Sequence, residues 1–157
     1  MARDAAQQLL SVWRICSGLP LGSHLFALVI SRMVPYSASV GPRVELLEPG
    51  HARVSMSDRR GNRNHLGSVH AVALTNLGEL TSGISMIAAL PASLRSIVTR
   101  IEVEFVKKAR GRITAEARVT VPSVTGPTDH LVVATLTDRS NDVVARIHVH
   151  WRLDVRA

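Results

Sequence analysis

The feature that most constrains this chain is a long stretch with almost no polar face. Between residues 68 and 90, Val69, Val72, Ala73, Leu77, Leu80, Ile84, Ile87 and Leu90 recur at spacings of three and four. Ala71, Gly78, Ser82, Gly83, Ser85, Ala88 and Ala89 fill much of the remainder. The spacing predicts one α-helix, roughly 30–35 Å long at 1.5 Å per residue, and its composition requires burial nearly all round. Pro91 ends it. A helix of this kind needs a wall on most sides, so the rest of the chain must supply one.

The wall is written in period two. Residues 40–47 and 52–56 flank Glu48-Pro49-Gly50-His51, a turn sequence, and so form a hairpin. A polar loop covers residues 57–64. After the helix come strands over 98–106, 113–121, 131–137 and 143–153. In the last, Val143, Ala145, Ile147, Val149, Trp151 and Leu153 share one face, and Arg146, His148, His150 and Arg152 share the other. Six antiparallel strands and one apolar helix have a simple solution, an α+β fold in which the sheet curls around the helix. Two helical segments precede it, residues 5–16 and 21–33, with Pro35 stopping the second. They belong outside the core or near a ligand entrance. With no repeat or linker, the chain reads as a single domain over 1–157: an N-terminal helical segment over 1–36 and a core over 37–157.

Only 3% of the residues are aromatic, so stacking platforms for nucleic acid are missing even though the net charge of +7 favours an anionic partner. The lone cysteine, Cys16, leaves no partner for an internal disulfide and fits a reducing cytoplasm. Residues 1–14 lack the charged-then-apolar order of a signal peptide. The longest apolar stretches are interrupted, 21–34 by His24, Ser31 and Arg32 and 75–90 by Glu79, so neither supplies the ~20 apolar residues of a membrane span. His148 and His150 lack a third ligand and fit interface packing better than a metal site; no metal and no cofactor is expected.

Glu79 is the first candidate for chemistry, because an unpaired carboxylate inside an apolar helix costs several kcal/mol unless paired, hydrated or neutralised. Pairing with an arginine is its alternative explanation. The N–H groups of Ser68 to Ala71, at the positive end of the helix, form the second element, a cradle for a polarised carbonyl. Ser68 can also serve simply as an N-cap. His70 suits a structural donor better than a base, and Asn64 can equally hold its own loop. His70 and Glu79 are nine positions apart, which sets them on opposite sides of the helix and about 13 Å apart along its axis. One chain cannot easily bring both to one atom. The expectation is therefore a homodimer with composite sites, with pairing into tetramers left open.

Asn64-x-x-Gly67-x-x-His70-Ala71-x-x-Leu74-x-x-Leu77-Gly78-Glu79 resembles the motif of hotdog-fold thioesterases of the phenylacetyl-CoA and hydroxybenzoyl-CoA type, and Phe105-x-x-x-Ala109-x-Gly111 resembles their strand-turn pattern. The whole looks closest to a branch described as a domain of unknown function. The resemblance implies a hotdog fold and acyl-CoA thioester hydrolysis, with coenzyme A as part of the substrate. It implies that Asn64 and the Ala71 N–H polarise the carbonyl, that His70 supports the helix start, and that Glu79 activates water or attacks directly. Ala71 stands where relatives usually have glycine. For the phosphates, Arg63, Lys107, Lys108 and Arg110 are the candidate contacts. The competing readings are a ligand-binding hotdog dimer without chemistry, and a dehydratase using His65 and Glu79.

Overall fold

The computed structural model describes residues 5–156. Residues 1–4, part of the stretch read above for a leader, lie outside the described residues, as does residue 157. Three helices come first, α1 (Ala5–Ser17), α2 (Gly22–Met33) and α3 (Pro35–Ala38). The hairpin strands β1 (Arg43–Glu48) and β2 (His51–Met56) follow, then a 3-10 turn at Arg60–Asn62 and the long helix α4 (Ala71–Ala89). Four strands complete the fold, β3 (Leu94–Phe105), β4 (Ile113–Arg118), β5 (Thr128–Thr137) and β6 (Val143–Val155).

The strands form one antiparallel sheet in the order β1-β2-β4-β5-β6-β3. Consecutive strands β2 and β3 therefore stand far apart, and α4 spans the crossover between them. The concave face is built by alternation. Val54, Ala115, Ala117, Val132, Ala134, Leu136, Ile147, Val149 and Leu153 are all sealed from solvent against α4. This is the hotdog arrangement expected from the sequence. The polar groups of α4 on that side are satisfied: Thr81 Oγ1 donates to the Leu77 carbonyl, Ser85 Oγ to the Ala117 carbonyl, and Trp151 Nε1 to Ser82 Oγ at 2.9 Å. The helix also approaches the sheet closely where Gly78 faces Ile147, since a methyl at position 78 would occupy the space of that side chain.

Two expectations need correction. Pro35 does not merely stop α2; its fixed φ starts the separate turn α3 at the first helical position. Nor is α4 buried all round. Ala71, Val72, Thr75, Glu79, Gly83 and Ile87 are only partly covered or exposed, a stripe at helical spacing. The sheet curls over one side of α4, and α1 and α3 pack on part of the other. The stripe between those coverings stays open. β3, at the edge of the sheet, leaves its outer backbone groups unpaired and carries exposed Ile97, Ile101 and Phe105.

Candidate active site

Helix α4 begins at Ala71, three residues later than the apolar pattern suggested, because the cap is His70 and not Ser68. The imidazole Nδ1 of His70 accepts the Val72 N–H at 3.1 Å. Of the four N–H groups from Ser68 to Ala71, three are already used. Ser68 donates to Asn64 Oδ1, Val69 to the Ala109 carbonyl and His70 to the Asn62 carbonyl. The Ala71 N–H has no partner among the described residues. Ala71 does not adopt the left-handed backbone that would require glycine.

Asn64 holds the loop ahead of the helix. Its Oδ1 accepts from Leu66 N–H at 3.0 Å, Ser68 N–H at 3.2 Å and Ser68 Oγ at 3.2 Å. Its amide Nδ2 donates to nothing among the described residues. The loop-holding reading of Asn64 is thus seen, with its oxygen fixed by the loop while its amide group makes no hydrogen bond to a described residue.

Glu79 lies in a recess of about 320 Å³ lined by Tyr36, Val72, Thr75, Asn76, Val98 and Ile101. The carboxyl is half-buried and makes no hydrogen bond or ion pair with any described residue, so the arginine pairing considered above does not occur. Burial among apolar neighbours raises its pKa above the ordinary 4.5. His70 caps the helix, and its carbonyl accepts the Leu74 N–H, so its Cα stays on the helix cylinder and nine positions still set it opposite Glu79, which shares the open stripe with Val72 and Thr75. The separation along the axis also holds, at about 12 Å from Ala71. Thr99, at a register shift in β3, donates to the His150 carbonyl and is exposed.

The end of the sheet beside the start of α4 is basic. Of the phosphate candidates, Lys107 is clamped between Asp138 at 2.8 Å and Asp142 at 2.6 Å. Arg63 pairs with Asp58 at 2.6 Å, and this pairing holds the Asp58 carboxyl below its usual value, helped by the Gly111 N–H. Lys108 and Arg110 are exposed, make no ion pair among the described residues, and flank Ala109, whose carbonyl binds Val69. A separate polar recess of about 460 Å³ gathers Arg43, Arg63, Arg112 and Arg139. Arg43 and Arg139 were not singled out from sequence, because they come from the start of β1 and the β5–β6 turn and converge only through strand pairing. No group of three or more His, Cys, Asp or Glu side chains that could hold a metal occurs among the described residues. His150 instead pairs with Glu102 at 2.7 Å on the convex face.

A curved sheet around a central helix, with an unpartnered acid on the helix and free donors at its start, defines the class: a hotdog fold of the thioesterase type. The chain belongs to the family described as a domain of unknown function, DUF4442, whose profile matches residues 22–153. A structural-genomics protein of known structure is 29% identical, with a TM-score of 0.83 over 97% of this chain and 99% of its own. A Pseudomonas aeruginosa protein of unknown function, described as a probable thioesterase, is 28% identical, with a TM-score of 0.76 over 88% of this chain and 97% of its own. A thioesterase family protein from Silicibacter pomeroyi shares the fold at 19% identity, with a TM-score of 0.70 over 83% of this chain and 96% of its own. No curated protein matches the chain. No helix among the described residues is long and apolar enough to cross a membrane.

Proposed function

We propose that the protein hydrolyses acyl-CoA thioesters as a homodimer, with Glu79 of one subunit facing the helix start of the other. The observation that carries this reading is Glu79 itself, an unpartnered, half-buried acid in an apolar recess that opens beside the unpaired edge of β3. Within one subunit the acid and the Ala71 N–H are too far apart to hold one thioester carbon. Pairing of two β3 edges about a twofold axis would satisfy the open backbone groups, cover Ile101 and Phe105, and set each acid near the partner's α4 start.

In such a site the thioester oxygen accepts hydrogen bonds from the Ala71 N–H and Asn64 Nδ2, donors that no described residue uses. Glu79 takes a proton from water as the water oxygen bonds to the carbonyl carbon. The tetrahedral intermediate then collapses with cleavage of the C–S bond. The thiolate of coenzyme A leaves and is reprotonated, so the products are a carboxylic acid and a free thiol. The raised pKa makes Glu79 a stronger base than an exposed glutamate. The arginine recess supports phosphate binding in this reading: Lys107 is held by two acids and Arg112 by Glu45, which leaves Arg43 and Arg139, with Lys108 and Arg110 beside them, as the contacts.

Glu79→Gln is expected to lower kcat by roughly 10²–10⁴ while CoA binding persists. Mixing it with Asn64→Ala tests the composite site. Each variant alone should be nearly inactive, yet random pairing should restore about a quarter of wild-type turnover, because each mixed dimer has one intact site. Unchanged turnover in Glu79→Gln removes the acid from the mechanism, and no recovery on mixing, with subunit exchange verified, places the whole site within one subunit.

A further inference from the structure

Glu79 has a polar neighbour that the mechanism above leaves unused. Asn76 lies one helical turn before it and lines the same recess. At 100° per residue the two side chains leave the α4 axis about 60° apart, with Cβ atoms roughly 5–6 Å from each other. Asn76 is only 7% exposed. An amide side chain sealed that far costs free energy unless both its nitrogen and its oxygen find partners.

The nitrogen is accounted for and the oxygen is not. Asn76 Nδ2 donates to the Tyr36 carbonyl at 3.4 Å. A carbonyl oxygen only accepts, so the amide is oriented with its nitrogen towards α3 and its oxygen on the other branch. That oxygen accepts from no described residue. No side-chain oxygen or nitrogen among the described residues is both sealed from solvent and unpartnered, so Oδ1 keeps an opening, and the recess is the space that Asn76 lines. The other walls offer no substitute beside Glu79. Val72, Val98 and Ile101 are apolar. The Thr75 hydroxyl donates to the Ala71 carbonyl at 2.9 Å. Tyr36, whose phenol is the other titratable group in the lining, is 72% exposed.

Resting on the hydrolase reading above, we propose that Asn76 is a further catalytic residue, whose Oδ1 holds the attacking water against Glu79. Side chains one turn apart on a helix are close enough to share one water. Glu79 accepts one of its hydrogens and Asn76 Oδ1 the other, which turns the lone pairs of the water oxygen towards the thioester carbon. As the new C–O bond forms, Glu79 takes its proton, while the other hydrogen stays on the oxygen, bonded to Asn76. The C–S bond then breaks with its electron pair on sulfur, which the proton from Glu79 neutralises. The retained hydrogen leaves on the carboxylic acid. A water held by Glu79 alone would rotate about that single bond and meet the carbon in the wrong orientation more often.

The test is kcat and KM against pH, read as free thiol released from acyl-CoA substrates running from acetyl to palmitoyl, with benzoyl and phenylacetyl. Asn76→Leu has nearly the same volume and no acceptor. It should lose at least about tenfold in kcat with KM little changed, because the water and not the substrate loses its partner. Asn76→Asp keeps an acceptor oxygen but, once ionised, has no donor for the Tyr36 carbonyl. Its kcat should stay well above that of Asn76→Leu at high pH. Its acidic limb should move to higher pH, since a second carboxyl one turn from Glu79 makes it harder for both to ionise. Asn76→Ala, which overfills nothing, takes the place of the leucine variant where that does not fold. Unchanged kcat in the folded leucine or alanine variant overturns the role and leaves the hydrolase reading standing. Equal losses in the leucine and aspartate variants overturn it too, by tracing the effect to the bond with Tyr36. Should the wild type release no thiol from any substrate, the hydrolase reading falls and this role with it.

Discussion

Glu79 carries two opposing consequences of one environment. Its neighbours strip water from the carboxyl and supply no cation, so the protonated form is favoured in the folded protein. A carboxyl whose pKa is raised on folding contributes most below its ordinary value of 4.5, and that contribution is lost as the pH rises through the raised value. Near neutral pH the ionised group therefore weakens the fold, as expected of a group kept for chemistry. Glu79→Gln, uncharged at every pH, should melt at a higher temperature than the wild type at pH 7–8, and the two should converge below about pH 4. The acidic limb of the wild-type kcat/KM profile should lie above the usual glutamate range. A melting difference independent of pH would mean that the carboxyl is fully hydrated in solution. Asp58 behaves in the opposite way. Arg63 and the Gly111 N–H hold its pKa down, so its contribution to the loop ahead of α4 is present above the ordinary 3.8 and is lost on acidification.

At the scale of the element, α4 uses its glycines for different purposes. Gly78 lets the helix backbone lie against Ile147 and thereby fixes the depth at which Glu79 sits. Gly83 lies beside the Trp151 indole, where an added methyl would make ordinary contact at 3.8 Å. Alanine at the two positions should act with opposite sign. Gly78→Ala overpacks the helix–sheet contact and should cost about 1–3 kcal/mol. Gly83→Ala gains helix propensity of up to ~1 kcal/mol without a clash. At roughly 2–4 °C per kcal/mol for a chain of this size, thermal melts resolve both. Equal effects at the two sites would contradict the helix–sheet spacing described above. The residues leading into α4 also show that a cap need not be the residue that composition favours. Ser68 has the better capping side chain, but its N–H and Oγ are drawn to Asn64, and His70 takes the position instead.

For the whole molecule, the decisive feature is the edge of the sheet. β3 is twelve residues long and unpaired on one side, with Ile101 and Phe105 exposed. Edges of this length are normally blunted or covered. In the homodimer proposed above, Phe105→Asp places a charge in the seam. It should yield monomers by sedimentation, with loss of thioester hydrolysis. A variant that remains dimeric and active would place the interface elsewhere.

Much of this was legible in the residues. Period-three-and-four writing between residues 68 and 90 and period-two writing in the strands depend on local geometry, so the elements and their hotdog arrangement follow from the order of side chains alone. Glu79 stood out because an acid among Leu77, Gly78 and Leu80 breaks that pattern. The open stripe on α4, the cap at His70 and the meeting of Arg43, Arg63, Arg112 and Arg139 were not legible. Each depends on how far the sheet curls and which connections it brings to one end, and those follow from contacts between residues distant in sequence. Local periodicity states which face of an element is apolar. Only the packed structure decides how much of that face is covered, and the uncovered remainder is where the candidate site lies.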